Sequence, residues 1–223
     1  MKHPDTSLIE KTVASIRWHL PKAPILIACD GVRPEQESYR ERYSEFVLWL
    51  ESICLSQWKD VRLWIEPEWV HQAQLIARAL KAVQTPLILF SEHDQALLPE
   101  PIPWDTLARL ICQRQANVVR FMLEDKIPEE WNHLMLGFVE PYTELLKTVQ
   151  WSQRTQLASV EYYLWMIEKH LKLDDRCYLE ERLYGLEDSW EDHRLTIFYP
   201  AHPRRIVHLD GRGDDPKFDS VLV

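Results

Sequence analysis

The sequence predicts an α/β fold, with a mostly parallel sheet flanked by helices and a less regular C-terminal part. Two observations carry this. Short continuous apolar runs, of the kind that form strands covered on both faces, alternate with stretches of helical periodicity. Such alternation implies crossover connections between parallel strands. It runs to about Glu124 and weakens beyond. The 223 residues fit a single domain, 1–223, divided at about 123/124.

Each element has its own signal. Ser7-Leu8-Ile9-Glu10 reads as a capping box, and Ile9, Val13, Ile16 and Leu20 recur at helical spacing until Pro21 stops them. Pro24 to Cys29 is an apolar strand ending in the polar turn Asp30-Gly31. A helix follows from about Glu35 to Ile53, with Tyr39, Tyr43, Phe46, Leu50 and Ile53 on one face. The unit then repeats. Val61–Ile65 is a strand, and Trp69 to Val83 is a helix carrying Ala73, Ile76, Ala77 and Leu80. Pro86 to Ser91 is the most apolar strand and ends in Glu92-His93-Asp94. Trp104 to Gln115 is a helix and Asn117 to Met122 a strand. In the second half, a helix over Gln156–Leu171 and a strand over Leu195–Tyr199 stand out, and the tail from Arg204 is polar.

Composition narrows the function classes. A net charge of −9 gives no footprint for broad nucleic-acid binding, which needs clustered Lys and Arg. Cys29, Cys54, Cys112 and Cys177 lack CxxC spacing and sit in or beside apolar runs. Buried free thiols in a reducing compartment are therefore expected. The start, Met1-Lys2-His3-Pro4, has no apolar signal core, and no run approaches the roughly 18 apolar residues of a membrane span. The expectation is a soluble, cytoplasmic protein. Among only five glycines there is no GxGxxG, no Gly-Lys-Ser/Thr phosphate loop and no GxSxG elbow. Dehydrogenases, P-loop NTPases and serine hydrolases are disfavoured.

In open α/β sheets, ligands bind beyond the carboxyl ends of the strands. Two strands here end in acids, at Asp30 and at Glu92-His93-Asp94. Carboxylates placed there cost desolvation unless a positive charge pairs with them. A divalent cation on a substrate diphosphate supplies that charge, because hard ions prefer carboxylate and phosphate oxygens. Acidic strand ends also suit a metal-dependent nucleotidyltransferase or phosphohydrolase, and clustered His, Trp and acids suit a non-catalytic carbohydrate-binding module. Trp104, Trp131, Trp151 and Trp190 are of a kind that stacks on sugars or bases, with core packing expected for most.

From about residue 5 to 212, the order of these elements and motifs resembles the nucleotide-sugar glycosyltransferases of the GT-A fold. The resemblance is to family-2-like members, including small phage and viral ones. It implies that Glu92-His93-Asp94 stands for the family's DxD-type motif, with Glu in place of the first Asp, holding Mn2+ or Mg2+ on the donor diphosphate. Asp94 is then the direct ligand, Glu92 supports it, and a late histidine, His208, completes the shell. Asp30 matches the carboxylate that binds the nucleobase or ribose. Gln150-Trp151-Ser152-Gln153-Arg154 resembles a segment near the donor and acceptor sites. Arg212, with Arg33 and Arg78 as weaker candidates, offers charge to the diphosphate. Cys177-Tyr178-Leu179-Glu180-Glu181 resembles the element that carries the general base, Glu181 by motif position, with Glu180 its rival. The implied activity is transfer from a nucleoside diphosphate sugar, UDP-linked, to a glycan or a modified DNA base, with inversion. Residues 1–123 would be the nucleotide-binding half and 124–223 the acceptor-binding half and tail.

Overall fold

The computed structural model describes residues 4–172, 176–183 and 190–211. Helix α1 (Ser7–His19) opens one residue earlier than its sequence signal. Thr6 is the N-cap residue, and its hydroxyl bonds the Glu10 carboxylate. Strands β1 (Ile25–Cys29) and β2 (Val61–Ile65) pair in parallel. Between them lie a 3-10 segment over Pro34–Tyr39 and α2 (Arg40–Ser56). The helix predicted from Glu35 thus starts in the tighter form, with Pro34 opening it and Gln36 off helical angles. Val13 of α1, Cys29, Val61, and Val47 and Leu50 of α2 are buried together around the β1–β2 pair.

The chain continues through α3 (His71–Leu80), β3 (Leu87–Phe90), β4 (Gln95–Leu97), α4 (Trp104–Cys112) and β5 (Val118–Arg120). The hairpin of β6 (Met135–Val139) and β7 (Tyr142–Thr148) follows, then β8 (Gln156–Ser159) and α5 (Val160–His170). Last come α6 (Leu179–Leu183), α7 (Trp190–His193), β9 (Leu195–Phe198) and β10 (Ile206–His208). A six-stranded sheet has the order β3-β8-β5-β9-β7-β6. Its faces follow the period of two: Val119 and Leu157 pack toward α4, and Val118 and Ala158 toward α3 and α5. Both faces are covered, so the α/β class read from the sequence is the one observed.

The pairing differs from the mostly parallel sheet that the alternation predicts. Within the six strands only β5 and β9 run parallel; β8 lies antiparallel between β3 and β5, and β7 and β6 extend the sheet antiparallel. Helix-separated apolar runs reveal crossovers, whereas hairpin strands leave no such trace. Gln156–Ser159 is hidden for a second reason, because it runs directly into a helix. The extended Ser159 accepts the Tyr162 N–H at 3.3 Å and caps α5, so strand becomes helix within one residue. The cysteines are all free, but only Cys29 and Cys54 are buried. Cys112 is exposed because α4 ends there, and Cys177 is half-buried. Burial pushes the Cys29 thiol up to about 11. Among the described residues, no helix is long and apolar enough to cross a membrane.

One contact fixes the end of β1. A Cβ on Gly31 would lie 2.2 Å from the Glu68 carbonyl carbon and 2.4 Å from the Trp69 nitrogen, both backbone atoms. Neither can swing aside as a side chain would. Gly31→Ala is therefore expected to destabilise by about 3 kcal/mol, the upper end of the overpacking range. Urea denaturation reads this directly, and an unchanged midpoint would contradict the close approach.

Candidate metal and nucleotide site

The site is assembled by the short antiparallel pair of β4 and β10, in which Gln95 lies opposite His208. The Leu209 N–H donates to the Asp94 carbonyl at 2.8 Å, extending the pairing past the strand ends. This register brings Asp94, His208 and Asp210 together, with one ligand atom from each within 4.8 Å of the others. Asp94 is 2% exposed, and its Oδ2 lies 3.8 Å from His208 Nδ1. Two carboxylates and an imidazole are a hard-to-borderline donor set that fits Mn2+ or Mg2+. Asp210 lies in the same segment as His208, Val207-His208-Leu209-Asp210-Gly211-Arg212, but the resemblance gives it no role. The alternation rule holds its signal, since residues 208 and 210 of an extended chain share a face.

Glu92 stands outside this trio. Its Oε1 accepts from Gln72 Nε2 at 3.2 Å and its Oε2 from Gln95 Nε2 at 2.9 Å. Gln95 Oε1 in turn accepts the Thr155 N–H at 2.8 Å and the Thr155 hydroxyl at 3.1 Å. Gln153 Nε2 bonds Gln72 Oε1. Amide groups thus support the tip of β3, and the Thr12 hydroxyl ties the His93 carbonyl to α1 at 2.8 Å.

Gln72 also lines a cavity of about 530 Å³, together with Asp30, Arg33, Trp69, His71 and Tyr178. The cavity and the Asp94 strand tip are therefore joined through the Gln72–Glu92 bond. Asp30 is the keystone of the cavity wall. Its Oδ1 accepts the Gly31 and Val70 N–H groups and its Oδ2 the His71 N–H, each at 2.8 Å. A carboxylate from β1 thereby satisfies N–H groups where α3 begins, and favours that helix end electrostatically. The clamp also explains why α3 starts at His71 rather than Trp69. Arg33 and Arg176 place their guanidinium carbons 5.7 and 5.1 Å from the Trp69 ring centroid.

The other candidates are distributed around this centre. Arg78 pairs with the buried Glu66 at 2.8 Å and is not among the cavity residues. Arg154 is bound to Glu124 through both terminal nitrogens, one at 2.6 Å, and its guanidinium lies over Trp131. Arg212 lies outside the described residues. Trp151 is buried, and Trp104 and Trp190 pack against the core beside α4. Glu181 Oε2 accepts the Tyr178 N–H at 3.4 Å, at the start of its own helix. Glu180, on the same helix, is exposed. At the end of β5, Arg120 is 5% exposed and bonds Gln150 Oε1 at 3.3 Å. Burial pulls its guanidinium down to about 9, the charge of Arg154 pulls the same way, and Glu180 and Glu124 oppose them. Arg120 escaped the sequence reading because an arginine inside an apolar strand looks like a solvated position.

No protein-family model matches this sequence, and no curated protein matches it. Solved structures do resemble it. S. aureus TarS 1–349 in complex with UDP-GlcNAc is 10% identical, with a TM-score of 0.56 over 96% of this chain and 58% of that one. The mannosyltransferase PcManGT from Pyrobaculum calidifontis, in complex with GDP-Man and Mn2+, is 13% identical, with a TM-score of 0.50 over 95% of this chain and 56% of that one. GalNAc-T7 with UDP, GalNAc and Mn2+ is 13% identical, with a TM-score of 0.51 over 94% of this chain and 42% of that one. This chain spans about half the length of these structures, and the likeness shows that its fold is the GT-A fold.

Proposed function

We propose, with the GT-A fold as premise, that this chain moves a sugar from a nucleoside diphosphate sugar to an acceptor hydroxyl and uses a divalent cation to do so. The observation that carries the reading is the meeting of Asp94, His208 and Asp210 within 4.8 Å, on a strand tip that Glu92 joins, through Gln72, to a cavity that suits a nucleoside. Asp94, His208 and Asp210 would hold Mn2+ or Mg2+. When bound, the ion offsets charge on the departing diphosphate. Asp30 serves the donor through the loop it clamps, while Arg33 and Trp69 offer a guanidinium and an aromatic face to the nucleoside. Glu180 takes the proton of the acceptor hydroxyl as it attacks the anomeric carbon, with inversion. A glycan hydroxyl is the acceptor in this reading, since a net charge of −9 offers little to a DNA backbone.

Thermal unfolding with UDP- and GDP-linked sugars, with and without Mn2+, tests the reading. A donor at a hundred times its Kd stabilises by about 2.7 kcal/mol, or roughly 5–10 °C for a chain of this size. The shift is expected to require the metal. No shift with any nucleotide sugar would remove the proposal's foundation.

A further inference from the structure

The helix that carries Glu180 also contributes a wall to the cavity. Of the described residues 176–183, Tyr178 is the one that lines it. Its ring stands edge-on to His71, with centroids 4.7 Å apart and planes at 75°. Its hydroxyl accepts from Arg33 Nη2 at 3.4 Å. One residue earlier, the Cys177 carbonyl accepts the Ala73 N–H of α3 at 3.2 Å. Two residues later comes Glu180, and on the far side of α6 Leu179 and Leu183 are buried in the core.

A ligand can bias a neighbouring element only through contacts that differ between that element's states. A nucleoside in this cavity touches the α6 segment at Tyr178. Helices draw most of their stability from the packing of their buried face, so the order of α6 depends on what it packs against. We propose that Tyr178 is a positioning residue: through it, an occupied cavity holds α6 and places the Glu180 carboxylate for its work. The inference rests on the donor-site reading above and adds a consequence to it. The base is set in place by the donor, so the acceptor is deprotonated only when there is a sugar to receive it.

Hydrogen–deuterium exchange of the segment 177–183 tests this, with UDP and GDP as probes, each with Mn2+ at saturating concentration. Saturation separates positioning from affinity. In the parent protein, exchange across this segment is expected to slow about fivefold or more on binding. Tyr178→Phe keeps the ring and retains the protection. Tyr178→Ala loses it even when fully occupied; the side chain is 40% exposed, and circular dichroism verifies the fold. Equal protection in Tyr178→Ala at saturation overturns the coupling, as does a parent protein that binds nucleotide without protecting α6. A parent that binds neither nucleotide overturns the donor-site reading and the proposal with it.

Discussion

An Asp94→Asn protein is expected to lose metal-dependent transfer by roughly 10²–10³-fold, the size of effect seen when one preorganised electrostatic group is removed from an active site. It is also expected to fold at least as well as the parent in metal-free buffer. The two expectations together make the test sharp. Asp94 is 2% exposed and shares a 4.8 Å neighbourhood with His208 and the exposed Asp210, so without a cation its carboxylate carries a desolvation cost and some repulsion from Asp210. Neutralising it relieves both. With a cation present, the amide is the poorer ligand and affinity falls. Calorimetric titration with Mn2+, alongside melts in chelator, separates the two. Glu92→Gln is the informative control. Its carboxylate accepts from Gln72 and Gln95, and a glutamine has only one oxygen for two donors. Stability should drop by about 1 kcal/mol, the lower end of the cost of an unmet polar group, because Glu92 is half-buried, with Mn2+ affinity retained. If Asp94→Asn bound Mn2+ like the parent while Glu92→Gln did not, the sequence reading of Glu92 would replace the geometric one.

How far the sequence reached is best judged from particular residues. The apolar runs at Ile25, Val61, Leu87, Val118 and Leu195 disclose strands through local composition; β5 and β9 are buried at every residue, whereas β1 and β2 leave Ala28, Arg62 and Ile65 exposed. Tyr142–Thr148 and Gln156–Ser159 do not disclose themselves: the first is a hairpin strand with no helix before it, and the second pairs with β3 and β5 and runs directly into a helix. The same division holds at the site. The tip of β3 shows as acids after an apolar run, and the tip of β10 shows as His208. Only the register of Gln95 opposite His208 places Asp94 beside Asp210. A sequence records Asp30 as an acid at a strand end. It does not record that two N–H groups at the start of α3 approach that acid and occupy it. The cavity needs Arg33, Trp69, His71 and Tyr178 from three segments, and no local pattern joins them.

The choice between the two glutamates at the start of α6 has the second large consequence. Glu180→Gln is expected to lower transfer by about 10²–10⁴-fold, the contribution of a positioned general base, while nucleotide and Mn2+ still bind. Glu181→Gln is expected to stay within a fewfold of the parent. Motif position favours Glu181, but the structure gives its carboxylate a local task, since Oε2 accepts the Tyr178 N–H three residues back. Losing that exposed bond costs about 1 kcal/mol or less. Glu180 is exposed, and its charge, with that of Glu124, opposes the burial of the Arg120 guanidinium, 5% exposed at the end of β5. A buried cation beside a second arginine is costly unless acids compensate it. Glu180 thus belongs to the charge balance at the strand ends, where substrates bind in sheets of this kind. Single-turnover transfer with donor saturated reads the chemical step without binding. Full turnover in Glu180→Gln with loss in Glu181→Gln would reverse the assignment. Equal, modest effects in both would mean that neither carboxylate takes the proton.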